Sequence, residues 1–137
     1  GDGVFIITTA PVVDATEDIA YVVDFNSAWL ADLGSEGLVR LAARYNSNEV
    51  RLAKVEGEFH WHCHSDTDEL FLVIEGCLDM EFRDHTEHLS AGDLIVVPRG
   101  TEHRPCARGG EAKLLVMDAD GTPNTGNAET AFVPVEV

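Results

Sequence analysis

From Leu38 to Met117 the chain is a succession of short runs in which apolar and polar residues alternate, broken at close intervals by turn-forming residues. Alternation at period two marks strands that turn one face to a core. The pattern predicts strands at Leu38–Tyr45, Val50–Val55, Phe59–Cys63, Leu70–Ile74, Leu78–Phe82, Leu94–Val97 and Lys113–Met117. Asn46-Ser47-Asn48 supplies a hairpin connection, and Gly57, Gly76, Gly92 and Gly100 fall between runs, where a turn calls for positive φ. Many short strands at this spacing predict an all-β domain, an antiparallel sandwich or barrel. Before Leu38 the pattern is mixed, with strands expected at Val4–Thr9 and Ala20–Phe25 and a turn or short helix around Ser27–Leu33. After Met117 a loop rich in Gly, Pro, Asn and Thr, Asp118–Thr130, leads into a β-prone tail, Ala131–Val137. The expected organisation is an N-terminal arm over 1–37 that packs on the barrel or swaps to another, a barrel over 38–118, and a loop and tail strand over 119–137. Neither an internal repeat nor a low-complexity tract is present, so one site is expected.

Composition narrows the partners. A chain of 137 residues fits one hydrophobic core, and no apolar run approaches the roughly eighteen residues of a membrane span, so a soluble fold is expected. Nine Lys and Arg stand against 25 Asp and Glu, a net charge of −16, which disfavours nucleic acid and anionic lipid as partners. Such acidity is first a matter of solubility, with a cationic substrate as the alternative. Cys63, Cys77 and Cys106 cannot all pair within one chain and lack zinc-finger spacing, which points to a reducing, cytoplasmic compartment. Val4–Ile7 is too short, and lacks the basic residues, to be a signal peptide.

The chemistry is concentrated in Gly57-Glu58-Phe59-His60-Trp61-His62-Cys63-His64, where three histidines occupy alternate positions and would share one face of a strand. Glu69 follows five residues after His64, close enough to return on the neighbouring strand, and His103 comes just after Pro98-Arg99-Gly100. These residues resemble the cupin superfamily. Its first motif is Gly, His-x-His, three or four residues, Glu, six residues, Gly, matched by Gly57, His62, His64, Glu69 and Gly76. Four residues rather than the usual five separate Gly57 from His62. The second motif is matched by Gly92, Pro98, Gly100 and His103, but its final Asn is replaced by Ala107. Through His62 to Phe71 and Pro98 to Gly100 the chain is similar to small single-domain bacterial cupins labelled mannose-6-phosphate isomerase-like, a label of similarity and not of activity.

The resemblance covers Leu38 to Met117 and implies a double-stranded β-helix, or jelly-roll barrel, holding one divalent transition metal ion through His62, His64, Glu69 and His103. Mixed nitrogen and oxygen ligation suits Mn, Fe, Ni, Co or Zn alike. Three neutral imidazoles and a carboxylate leave net charge near +1 and, in an octahedral ion, two adjacent positions for a chelating substrate. His60 shares the phase of His62 but lies outside the motif, so it is read as pocket wall and, with Glu102, as a candidate proton shuttle. If Glu69 faces inward, Phe71 and Val73 follow, and Leu78, Met80 and Phe82 form a matching stripe, residues that serve equally as plain core. Lys54, Arg99 and Arg104 are the cationic groups expected at the substrate pocket, each of which is otherwise an ordinary solvated charge. Trp61 and Cys63 have the opposite phase and belong outside. Phe71 takes the position where some cupin lyases carry a tyrosine base.

Three functions follow from the resemblance. The first is an enzyme whose ion acts as Lewis acid on a chelating oxygenated small molecule, in isomerase or lyase chemistry. The second is an Fe(II)-dependent dioxygenase, and the third a non-enzymatic module for a small ligand or metal. A homodimer is expected, with the β-prone tails extending the sheet of the second subunit.

Overall fold

The computed structural model describes residues 8–9, 23–25, 38–122 and 135–136. Within them the chain forms β1 (Thr8–Thr9), β2 (Leu38–Tyr45), β3 (Asn48–Glu58), β4 (Glu69–Glu75), β5 (Cys77–Phe82), β6 (Thr86–Ser90), β7 (Leu94–Val97), β8 (His103–Ala119) and β9 (Val135–Glu136). Strands β2 to β8 make one sheet, in the order β2-β3-β8-β4-β7 with β5 attached to β8 and β6 to β5. Every pairing in it is antiparallel, as the alternation predicts.

The architecture turns on β8, whose 17 residues serve two neighbours in succession. Its first part, His103 to Cys106, pairs with Phe82 to Asp79 of β5, and its later part, Lys113 to Met117, pairs with β4. On its other edge β3 pairs with both parts, with a register shift between Val55 and Gly57. The sheet thereby curls around one apolar interior in which Val55, Val73, Leu78, Met80 and Leu114 are at most 1% exposed. Burying each of these side chains contributes roughly 1.5–3 kcal/mol. A second, smaller cluster on the outer face joins Ala42 and Leu52 to Val23, Phe25, Ile74 and Leu115.

Two turns fix the register. Asn46 and Ser47 both have positive φ, 48° and 64°, the backbone twist a two-residue hairpin requires, and they join Tyr45 to its partner Asn48. Between β4 and β5, Gly76 has φ 86°, and a Cβ there would lie 2.8 Å from the Glu111 carbonyl oxygen.

Several expectations need correction. Phe59–Cys63 is not a strand: β3 ends at Glu58, and beyond it only an isolated bridge, His62 to His103, remains. Phe59 N donates to Pro105 O at 3.1 Å, but proline has no N–H to return the bond, so the ladder stops there. β6 was missed because TEHLS carries one apolar residue, Leu89, its one buried position. Of the expected strand Ala20–Phe25 only 23–25 are described, and Val23 and Asp24 are in no strand. The expected turn or helix at Ser27–Leu33 lies outside the described residues. Within the chain, Val135 and Glu136 of the tail pair in parallel with Thr8 and Thr9.

Candidate metal centre

The segment after β3 is held by the loop that precedes β8. His62 N donates to His103 O at 3.1 Å and His103 N to His62 O at 2.9 Å, while Gly100 N donates to His64 O at 2.7 Å. Arg99 N donates to Asp68 Oδ1 at 2.9 Å, just before Glu69 opens β4 opposite Val97. Three stretches of chain thus bring His62, His64, Glu69 and His103 together, with one donor atom from each within 4.8 Å of the others. All four are buried, at 7, 4, 5 and 1% exposure.

Their hydrogen bonds decide which nitrogens face the centre. His62 Nδ1 lies 3.0 Å from the His60 carbonyl, and His103 Nδ1 lies 2.9 Å from that of Thr101. A carbonyl only accepts, so each Nδ1 carries the proton and each Nε2 keeps a lone pair. His103 Nε2 then faces Glu69 Oε1 at 3.1 Å, one electron-pair donor against another. His64 Nε2 is 3.2 Å from the same oxygen, yet neither ring nitrogen of His64 makes a well-formed hydrogen bond. Converging lone pairs in a buried site are costly unless a cation lies among them. Ligand atoms about 2.1 Å from one ion and at right angles lie about 3 Å apart, as the His103 and His64 Nε2 atoms do from Glu69 Oε1 at 3.1 and 3.2 Å. The donor set and its orphaned nitrogens therefore fit a divalent metal ion.

Burial and the charge of His103 draw the His62 imidazole down to about 4. It is neutral, and so able to ligate, across the physiological range. Burial would raise the Glu69 carboxyl, but in the metal-free protein the hydrogen bonds and positive charge of His103 and His64, where their rings are protonated, outweigh it and hold the group well below the usual range.

Behind Glu69 lies a buried ion pair absent from the sequence-based expectations. Asp118, 1% exposed, sits 3.0 Å from Arg51 Nη2, and Arg51 is itself 5% exposed. Burial raises the Asp118 carboxyl well above its ordinary range against the pull of Arg51, and Glu69 raises it further. A signal was available: Arg51 continues the inward phase of Ala53 and Val55, and Asp118 that of Leu114 and Val116. A charge in the core phase of a strand asks for a partner.

The remaining expected residues are divided. Phe71, Val73 and Met80 are buried in the main core and Phe82 packs on it, with the ring of Phe71 6.2 Å from that of His103. His60 is half-buried with its ring 5.6 Å from that of His62; it stands outside the cluster of four but offers its carbonyl to His62. Arg99 is exposed, 3.6 Å from Asp68. Three of these residues lie beside inward-facing neighbours. Glu102 turns to the outside, where it accepts from Arg83 Nε at 2.8 Å and helps line an open groove of about 580 Å³. Arg104, next to the inward His103, faces out and binds Glu81 at 2.7 Å. Lys54 alternates with Ala53 and Val55 and so falls on the outer face with Leu52. Each alternates with an inward neighbour, so its side chain lies on the face opposite that neighbour's.

A family model described as "Cupin domain" matches residues 48–118. The protein YdbB of Bacillus subtilis is 50% identical over 60 residues, 43% of this chain and 53% of that protein. A homogentisate 1,2-dioxygenase of Legionella pneumophila is 30% identical over 132 residues, 80% of this chain but 32% of the enzyme. The chain thus spans about half of the first relative and a third of the second. Among solved structures, a cupin-2 domain-containing protein from Shewanella frigidimarina superposes with TM-score 0.65 at 41% identity, covering 72% of this chain and 94% of that one. Among the described residues, no helix is long and apolar enough to cross a membrane.

Proposed function

The chain belongs to the cupin family, and from that premise we propose that it is a metal-dependent enzyme whose ion, held by His62, His64, Glu69 and His103, takes a chelating oxygenated small molecule as substrate. The observation that carries this reading is the buried meeting of four donors, with neither ring nitrogen of His64 hydrogen-bonded among the described residues. When bound, a divalent ion in such a setting supplies Lewis acidity toward substrate oxygens. The chain's own residues supply the rest. The carbonyls of His60 and Thr101 hold two imidazoles in the tautomer that presents Nε2. Phe71, Val73 and Met80 give the interior an apolar lining that keeps water out and strengthens electrostatic interactions within. His60, half-buried beside His62, is the proton-transfer candidate in this proposal, and its lowered pKa keeps it a neutral base.

A second reading, an Fe(II)-dependent dioxygenase, is supported by the similarity to homogentisate 1,2-dioxygenase over 80% of this chain. One experiment separates the two: elemental analysis of protein purified without added metal, together with oxygen uptake by the Fe(II)-loaded protein offered catechols, thiols and keto acids. Bound Mn, Zn, Ni or Co and no oxygen uptake supports Lewis-acid chemistry of the isomerase or lyase kind. Bound iron with substrate-dependent uptake selects the dioxygenase, and protein that takes up no metal overturns both in favour of a binding module.

A further inference from the structure

Against the outer side of the His62–His103 bridge lies a charged aromatic cluster that the metal reading leaves without a task. Trp61 immediately precedes His62, and the guanidinium carbons of Arg83 and Arg104 stand 3.9 and 5.3 Å from its ring centroid. Arg104 immediately follows His103 and is fixed by Glu81, which accepts from Nε at 3.1 Å and Nη2 at 2.7 Å. Arg83 donates to Glu102, the residue just before His103, at 2.8 Å. Both chain neighbours of one histidine and one neighbour of the other thus belong to a single cluster.

The segment needs such a restraint. β3 ends at Glu58, so His62 has no ladder to set its orientation and meets its partner strand through one bridge. A cation over an indole face is a directional contact, and here the cations are themselves oriented by carboxylates. We propose that Trp61, covered by Arg83 and Arg104, is the positioning residue that sets His62 against His103 and so tunes the affinity of the metal centre. The inference rests on the metal site proposed above and gives that site an outer support.

The test uses the full chain, with Co(II) affinity measured by competition with a chromophoric chelator and the visible spectrum of the bound ion recorded alongside. Trp61→Leu is expected to weaken Co(II) binding about tenfold or more and to shift its ligand-field bands, the usual scale for losing a support of metal ligands. Trp61→Phe, which keeps an aromatic face for the guanidinium groups, is expected to restore most of the affinity. Arg83→Gln alters an exposed side chain without threatening the fold and is expected to weaken binding in the same direction by a smaller factor. Trp61→Leu and Arg83→Gln binding Co(II) as the unaltered protein does, with the same spectrum, would overturn the positioning role. So would Trp61→Phe failing as badly as Trp61→Leu. Unaltered protein that binds no Co(II) overturns the metal reading itself, which separates the two failures.

Discussion

Burial of an imidazole next to two others has a cost that His62 carries in its titration. Its ring is drawn to about 4 from an ordinary 6.5, because the charged form would be desolvated and would face His103. The folded chain therefore favours the neutral ring, and its contribution to stability, present above 6.5, is lost as the pH falls toward 4. Asp118 acts in the opposite sense: its carboxyl is raised by burial, so its contribution is present in acid and is lost as the pH rises through the raised pKa. The two oppose each other, so ring titration rather than a melting curve is the clean readout. In metal-free protein the His62 ring resonance in NMR is expected to titrate near 4, and a midpoint near 6.5 would contradict the burial account. The ion pair behind Glu69 makes a second residue-scale prediction. At a pH above the raised pKa of Asp118, where that carboxyl is ionised, Arg51→Met leaves it buried without its cation and is expected to cost about 3–5 kcal/mol in urea denaturation. The histidines and Glu69 were legible as a spaced motif, but Arg51 and Asp118 were not, because each looks like an ordinary strand charge until its partner is brought 67 positions along the chain.

Among the elements, Leu38–Tyr45 and Leu94–Val97 were predicted to the residue because each is a strongly alternating or apolar run closed by clear turn residues. β6 escaped because four of its five positions are exposed, so its sequence carries no burial signal. The histidine segment misled for a different reason. Its alternation predicts a strand, but strand formation is settled by the partner, and Pro105 has no donor to offer. The ligands still converge, since one bridge to His103 and the bond from Gly100 do the work of a ladder. The β4–β5 turn gives a test at this scale. Gly76→Ala forces a Cβ into positive φ and against a carbonyl oxygen at 2.8 Å, and is expected to cost about 2 kcal/mol or more by urea denaturation. A cost below half of that would mean the turn relaxes and does not fix the β4–β5 register.

For the whole molecule, the curled sheet does one thing that no single element does. It joins a histidine-rich segment after β3, the first residue of β4 and the first residue of β8 in one buried space, although they are up to 41 positions apart in sequence between His62 and His103. The antiparallel all-β class was legible from alternation and turn spacing, while the curl depends on the length of β8, whose first half is hidden by Pro105, Arg108, Gly109 and Gly110. The acidic surface, at a net charge of −16, favours retention of a cation at the centre over release to solvent, and more so at low salt. Whether this space holds one divalent ion is read from metal stoichiometry on the chelator-stripped full chain reloaded with Zn(II) or Co(II), beside His62→Ala and His103→Ala. One tightly held ion per chain is expected in the unaltered protein and none in either variant. Full stoichiometry in both variants, or none in the unaltered protein, would contradict it.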